Sequence, residues 1–179
     1  EIDEIKKVFE QFSKLPLTKI DRLPQAGSER HYFRLHTSVA TYIATYGVNI
    51  KENEAFIYFS NQFRQQQLAT PQILYSSADN KIYLQQDFGD TSLLNQLEEK
   101  GFTDSTYLLY KKSLQQLAQL QVKGDEVIDY SKCLTNAEFG KQAILADLLY
   151  FKYYFLDALR RPYDKQKLLN DFEVFSDFL

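Results

Sequence analysis

The chain has 179 residues, of which 44% are hydrophobic, so it can bury one sizeable core or two small lobes. Its 21 basic residues nearly balance its 24 acidic residues, and no block of five or six like charges suggests a nucleic-acid-binding or polybasic membrane surface. A single cysteine, Cys133, excludes an internal disulfide framework, and the lack of a long apolar run or signal-like N-terminus leads us to expect a cytoplasmic protein.

The first half of the sequence alternates between helical and strand-like periodicity. Apolar residues at helical spacing predict a helix over the first twelve or so residues. Short aromatic or β-branched segments bounded by turn residues predict three antiparallel strands, a helix with one phenylalanine face, and a further hairpin. The predicted strands are 17–24, 31–38 and 41–48, the helix is 51–68, and the hairpin joins 72–77 to 81–86.

From Gly89 onward the pattern is helical to the end of the chain. One predicted helix stops near Gly101, a second stops near Gly124, and a third carries a strong apolar stripe and ends at Arg161-Pro162. A strand-rich half followed by a helix-only half predicts an α+β lobe joined to an α lobe. We place the boundary between domains 1–86 and 87–179.

The stretch AGSERHYFRL lies between the first two predicted strands. A glycine beside a serine can lay backbone N–H groups against a phosphate, with Ser28 and Arg30 adding polar contacts. A single glycine between two strands is more often simply part of the hairpin turn.

The two histidines, His31 and His36, are expected at the surface or sheet edge, with no carboxylate facing them by sequence. No HExxH, Gly-x-Ser-x-Gly or Ser/His/Asp arrangement occurs, so zinc hydrolysis and acyl transfer find no support.

The stretch IYLQQDFGDTSLLNQL runs from a strand through a glycine turn into a helix whose N-cap is Asp90, Thr91 or Ser92. It contains Asp-Phe-Gly at residues 87–89, the tripeptide that carries a magnesium-binding aspartate in protein kinases. In those enzymes it follows a catalytic loop of the HRD type, and here no HxD occurs anywhere. We therefore interpret Asp87 as a turn residue that binds no metal.

With the order of elements in hand, three segments resemble the aminoglycoside phosphotransferase and choline kinase family of the protein-kinase-like fold. They are AGSERHYFRL, KENEAFIYFSNQFRQQQLATPQILYSS and IYLQQDFGDTSLLNQL. They are similar in particular to the branch of bacterial sugar kinases acting on N-acetylmuramate and N-acetylglucosamine. The resemblance implies a protein-kinase-like α+β fold: an antiparallel five-stranded N-lobe with one main helix, followed by the first helices of an α-helical C-lobe. The motifs are moderately specific for the family and poorly specific for substrate.

The resemblance also implies which residues bind ATP. A loop would cover the phosphates, and a hinge between the lobes would hydrogen-bond the adenine edge through its backbone. Glu54 would lie on the helix that, in kinases, pairs with a lysine of the third strand, and Thr45 occupies about that lysine's position here. The implied loop residues are Gly27, Ser28, Glu29 and Arg30, and the implied hinge residues are Gln86, Asp87 and Phe88.

Two further features concern catalysis. Members of the family carry an HxDxxxxN-like loop and a metal-binding aspartate in the helical lobe, and this sequence contains neither. The sequence also has no methionine and stops within an amphipathic pattern. We therefore expect a chain truncated before its catalytic loop and inactive alone, with the Mg²⁺ ligands outside it.

The sequence thus predicts the N-terminal part of an ATP-dependent small-molecule phosphotransferase, with a sugar, and in particular an amino sugar, as acceptor. One alternative is a non-catalytic kinase-like module that binds nucleotide or a partner, which the missing third-strand lysine favours. Another is an aminoglycoside-resistance kinase, which the sequence does not separate from a sugar kinase. A downstream HxD and second aspartate would favour an enzyme, whereas a native stop at residue 179 would favour the module. The oligomeric state is left open.

Overall fold

A computed structural model of the chain describes residues 1–25, 27–134 and 139–178. These residues form an α+β structure with one five-stranded antiparallel sheet and six α-helices. The chain divides into two compact units, Glu1–Leu134 and Thr135–Leu179. The lobe boundary between residues 86 and 87 stays a prediction.

The helices and strands lie where the periodicity predicted them, with ends shifted by a few residues. The strands are β1 (Lys19–Arg22), β2 (His31–His36), β3 (Thr41–Tyr46), β4 (Ile73–Ser76) and β5 (Ile82–Gln86). The helices are α1 (Ile2–Phe12), α2 (Ile50–Gln65), α3 (Leu93–Lys100), α4 (Asp104–Asp125), α5 (Lys141–Phe151) and α6 (Lys165–Phe178). Within the described ranges, no helix combines the length and apolarity that crossing a membrane requires.

The strands follow the order β1-β2-β3-β5-β4, and each neighbouring pair is antiparallel. β1 and β4 are therefore the two edge strands. The pairing of β4 with β5 shifts register between Ile73 and Tyr75, which is the signature of a β-bulge.

One face of the sheet packs against α1. Because side chains alternate along a strand, the register places Phe33, Ala44 and Leu84 on the same face, opposite Ile5 and Phe9 of the helix. The buried hydrophobic core consists of Ile5, Val8, Phe9, Phe33, Leu35, Ala44, Ile82 and Leu84. This apolar layer leaves the opposite face of the sheet for α2.

The opposite face is polar and aromatic. Register places Tyr32, Thr45 and Tyr83 in one row across β2, β3 and β5, and it places Arg34 and Gln85 in the next. Phe56 of α2 stacks on Tyr83 with ring centroids 5.3 Å apart. α2 therefore covers part of this face.

Asn53 fixes α2 to two neighbouring turns. Its side chain is buried, and Nδ2 donates to the backbone oxygens of Gly47 and Asn80, both at 2.9 Å. A Cβ on residue 47 would lie 2.6 Å from Asn53 Oδ1, so this close approach requires glycine.

The expectation that no carboxylate faces the histidines is wrong. His31 Nδ1 lies 3.0 Å from Glu1 Oε1, and His36 Nε2 lies 2.9 Å from Asp21 Oδ2. Pairing of Lys19 with His36 and of Asp21 with Arg34 puts the Asp21 side chain on the same face as His36. Sequence spacing alone does not report this register.

The later helices begin and end through local contacts. Ser92 is the N-cap of α3 and forms a capping box with Asn95, which decides between the three predicted caps. In the second unit, α5 ends at Phe151 and a π-helical segment, Lys152–Leu156, follows it. The predicted third helix is therefore interrupted, at the point where Lys152 is buried and pairs with Asp157 at 3.0 Å.

Candidate functional site: the polar face of the sheet

The side of the sheet opposite α1 is the candidate site, and we call it the polar face. It is defined by the side chains that point away from α1 on the three central strands. These are Tyr32, Arg34 and His36 of β2, Thr41, Ile43 and Thr45 of β3, and Tyr83 and Gln85 of β5. All of them lie in the unit Glu1–Leu134.

Two buried oxygen atoms on the polar face lack partners. Thr45 is 0% exposed, and neither its Oγ1 nor Gln85 Oε1 has a hydrogen bond of good geometry among the described residues, although the Tyr83 phenol lies close enough to the Thr45 side chain for that contact to lower the pKa of Tyr83. Because Thr45 pairs with Tyr83 and Ile43 pairs with Gln85, Thr45 and Gln85 are diagonal neighbours on adjacent strands. Buried polar atoms are normally paired, so these two neighbouring oxygens make this part of the sheet a candidate for a polar ligand; Arg30 Nε, Asn53 Oδ1 and Thr70 Oγ1 are the other buried atoms of the described residues that lack partners.

Tyr83 lies between these two residues on the polar face and is almost fully buried. Burial raises the pKa of its phenol to about 12, although the positive charge of Arg30 opposes the shift. The phenol is therefore neutral at physiological pH and remains able to donate a hydrogen bond.

The loop between β1 and β2 turns at Gly27, which has φ of +66°. The loop is held by short contacts, since Gln25 Nε2 donates to Ser28 O at 2.8 Å and Ser28 Oγ accepts from the Arg30 N–H at 3.3 Å. Glu29 is exposed. Apart from these contacts, the turn is open around Gly27, where a Cβ would meet no atom within 4 Å.

Arg30 reaches from this loop to the start of α2. Its Nη2 lies 3.1 Å from the backbone oxygen of Glu52 and 3.0 Å from Glu52 Oε1. Its guanidinium carbon also lies 5.2 Å from the centre of the Phe56 ring. The cation of the loop is thus fixed against α2 by charge and by stacking.

Glu52, rather than Glu54, is the acid of α2 that faces the loop. Glu54 is exposed and lines a cavity of about 480 Å³ with Lys51, Tyr58 and Cys133. Glu52 lies in the first turn, where its N–H donates to the side chain of the N-cap residue Asn49. The Asn-x-x-Glu spacing at the start of α2 is the sequence signal that could have identified Glu52.

The segment that follows β5 contains the predicted hinge residues. The Gln86 N–H is already used, because it donates to Gln72 O at 3.0 Å. Among the described residues, the backbone N–H and C=O of Phe88 form no hydrogen bond, and its side chain is exposed. The backbone of Phe88 is thus one part of this segment that is free to bind a ligand.

Asp87 is the buried residue of the same segment. Its carboxylate is 4% exposed and accepts hydrogen bonds from Arg34 Nε at 2.8 Å and Nη2 at 3.2 Å. Sequence analysis did not single out Arg34. The alternation of β2 could have placed it on the polar face, but nothing in the sequence links it to a residue 53 positions later.

The structure brings some of the predicted residues together and not others. Strand pairing joins Thr45 on β3 to β5 and the residues that follow it. Arg30 is joined to α2 instead, and Glu54 belongs to neither group.

The polar face and the segment that follows β5 carry uncharged hydrogen-bonding groups. Thr45 Oγ1, Gln85 Oε1 and the Phe88 backbone together offer both donors and acceptors. In the part of the chain that the structure describes, no group of three or more His, Cys, Asp or Glu residues could hold a metal.

Comparison with protein-family models gives no match to this chain, and comparison with curated proteins gives no significant match. The functional proposal therefore depends on the polar face and on the three sequence segments described above.

Proposed function

We propose that this chain is the nucleotide-binding part of an ATP-dependent small-molecule phosphotransferase with a protein-kinase-like fold. The observation that supports the proposal is the pair of buried oxygens, Thr45 Oγ1 and Gln85 Oε1, on the adjacent strands β3 and β5, together with the unbonded backbone of Phe88 in the segment that follows β5. Adenine carries an amino group and ring nitrogens along one edge, so it can both donate to buried oxygens and pair with a backbone N–H. ATP is accordingly the proposed donor.

The loop at Gly27–Arg30 is the proposed contact for the phosphates. Its glycine allows a close backbone approach to the phosphates, while Arg30, whose charge is paired with Glu52, holds the C-terminal end of the loop against α2. Phosphoryl transfer also uses Mg²⁺ to neutralise charge on the phosphates. Among the described residues, no group of three or more His, Cys, Asp or Glu side chains could hold Mg²⁺.

The acceptor is proposed to be a hydroxyl group of a sugar, and in particular of an amino sugar. This part of the proposal is supported by the similarity of GSERHYFRL and LQQDFGDTSL to segments of N-acetylmuramate and N-acetylglucosamine kinases. A phosphotransfer screen of the complete gene product against amino sugars, hexoses and aminoglycosides tests it. Transfer to aminoglycosides alone would overturn the sugar assignment.

Nucleotide binding can be tested on the chain itself. We expect a non-hydrolysable ATP analogue to shift NMR resonances of Gly27–Arg30, Thr45 and Gln86–Phe88, with weak affinity because the Mg²⁺ ligands are missing. Resonances of α6 serve as the internal control, since this helix belongs to the other compact unit. Shifts confined to regions away from these residues would contradict the assignment.

A second candidate is a kinase-like module that binds nucleotide without transferring phosphate. Thr45 favours it, because a fully buried hydroxyl at the position implied for the third-strand lysine supplies no positive charge to the phosphates. The two candidates differ in turnover. Binding of ATP by the complete gene product without transfer to any acceptor would support the module.

A further inference from the structure

Arg34 forms a three-pronged contact with the segment that follows β5. Its Nε and Nη2 bind the two oxygens of Asp87, at 2.8 Å and 3.2 Å, and its Nη1 binds Asp90 Oδ2 at 2.7 Å. The guanidinium is 14% exposed, and the two carboxylates flank Phe88 and Gly89 in sequence. One side chain of β2 therefore holds both ends of the segment 87–90.

The backbone between the two carboxylates is shaped by further contacts. Asp87 Oδ1 also accepts the N–H of Gly89 at 2.9 Å, which closes a tight turn around Phe88. Gly89 adopts φ of +78°, a conformation that favours glycine. The turn leaves the N–H and C=O of Phe88 without partners among the described residues.

The two ion pairs differ in strength because they differ in burial. Asp87 is 4% exposed, so loss of Arg34 would leave a buried carboxylate without its cation. Asp90 is 80% exposed, and an exposed pair contributes little by itself. A planar guanidinium is suited to this arrangement, because it binds one carboxylate with two N–H groups and still reaches a second one.

We propose that Arg34 is a positioning residue for the nucleotide base, acting by holding Asp87 and Asp90 so that the Phe88 backbone faces the ligand in one conformation. This role rests on the proposed nucleotide-binding function. Arg34 touches no reacting group in it. Arg34 orders the turn in the free protein, so ligand binding does not carry the entropic cost of ordering it.

The test measures adenosine binding by calorimetry and amide hydrogen exchange by NMR on the full 179-residue chain. We expect Arg34→Gln to weaken adenosine binding about tenfold, the effect of losing a charged hydrogen bond that orders the site, and to accelerate exchange at Phe88 and Gly89. Arg34→Lys keeps the charge but loses the two-pronged geometry, so we expect an intermediate effect. Asp90→Asn leaves the buried pair intact and should weaken binding only about twofold.

Arg22→Gln is the matched control, since Arg22 lies on β1 and its guanidinium stacks over Phe33 on the opposite face of the sheet. We expect it to leave adenosine affinity unchanged. Failure of the unsubstituted chain to bind adenosine would overturn the proposed function and the positioning role together. Adenosine binding that Arg34→Gln and Asp90→Asn both leave unchanged would overturn the positioning role alone.

Discussion

At the scale of single residues, the most informative feature is the unpaired oxygen of Thr45. A buried hydroxyl without a partner costs stability, because it has lost its hydrogen bonds to water and gained none in the protein. Such a cost is tolerated most easily where a bound ligand supplies the missing hydrogen bond. Substitutions of Thr45 and Gln85 therefore test whether the polar face is a binding site.

We expect Thr45→Val to raise the free energy of unfolding by about 1 kcal/mol, because the isosteric methyl group removes an unsatisfied hydroxyl. The same substitution should weaken adenosine binding if Thr45 contacts the base. Urea unfolding measures the first effect and calorimetry measures the second.

Ser38→Ala is the control for this substitution, since Ser38 lies in the turn between β2 and β3 and is exposed. It should change neither quantity appreciably. A stable Thr45→Val variant with unchanged adenosine affinity would remove Thr45 from the site.

Asp87 gives the polar face a dependence on pH. Burial alone would raise the pKa of its carboxyl, but hydrogen bonds from Arg34 and the Gly89 N–H hold the pKa below its usual range. A lowered pKa in the folded state stabilises the fold above the unfolded-state pKa of about 3.9, and this contribution is lost as the pH falls through the folded-state value.

We therefore expect Asp87→Asn to be less stable than the unsubstituted chain near neutral pH, with the difference shrinking as the pH falls below about 4. Urea unfolding across this range measures the difference. The exposed Asp147→Asn serves as the control. A difference for Asp87→Asn that stays constant with pH would show that its carboxylate charge does not stabilise the fold.

At the scale of elements, the position of α2 depends on one buried amide. Asn53 bonds to the turn before α2 through Gly47 and to the turn between β4 and β5 through Asn80. Through α2 it also sets the position of Phe56, which stacks on Tyr83 of the polar face. The helix and the site are thus linked by a contact outside the site.

We expect Gly47→Ala to destabilise the chain by about 2 kcal/mol, because the new methyl group displaces the Asn53 amide and breaks its hydrogen bonds. In an Asn53→Ala background the same substitution should cost clearly less, because the clash is gone. Urea unfolding of the four members of this cycle tests the coupling. Equal costs in both backgrounds would contradict it.

Periodicity in the sequence predicted the elements well, because each buried face repeats at the period of its helix or strand. It did not predict the break after Phe151, since the apolar stripe continues through the π-helical segment. It also did not predict that Glu52 faces Arg30, or that Arg34 meets Asp87 and Asp90. Those contacts depend on where a helix begins and on how distant segments are aligned, which spacing along the chain does not specify.

At the scale of the whole molecule, the polar face, α2, the loop at Gly27–Arg30 and the segment after β5 all belong to the unit Glu1–Leu134. Every contact described for the site lies within this unit. The second unit carries its own contacts, including the Lys152 pair with Asp157.

We therefore expect residues 1–134 alone to retain the sheet and the adenosine affinity of the full chain. Circular dichroism checks the fold, and calorimetry with adenosine checks the site. The Arg34→Gln substitution in the shorter chain is the control, and it should weaken binding as it does in the full one. A folded 1–134 chain that has lost adenosine binding would place part of the site in residues 135–179.

The bulge in β4 also affects how copies of the chain meet one another. An edge strand with a regular row of free backbone groups can recruit a strand from another molecule and so start aggregation. In β4 that row is interrupted between Ile73 and Tyr75, and the other edge, β1, has only four residues with charged side chains at both ends. Both borders of the sheet thus carry features that disfavour the addition of a strand from another molecule.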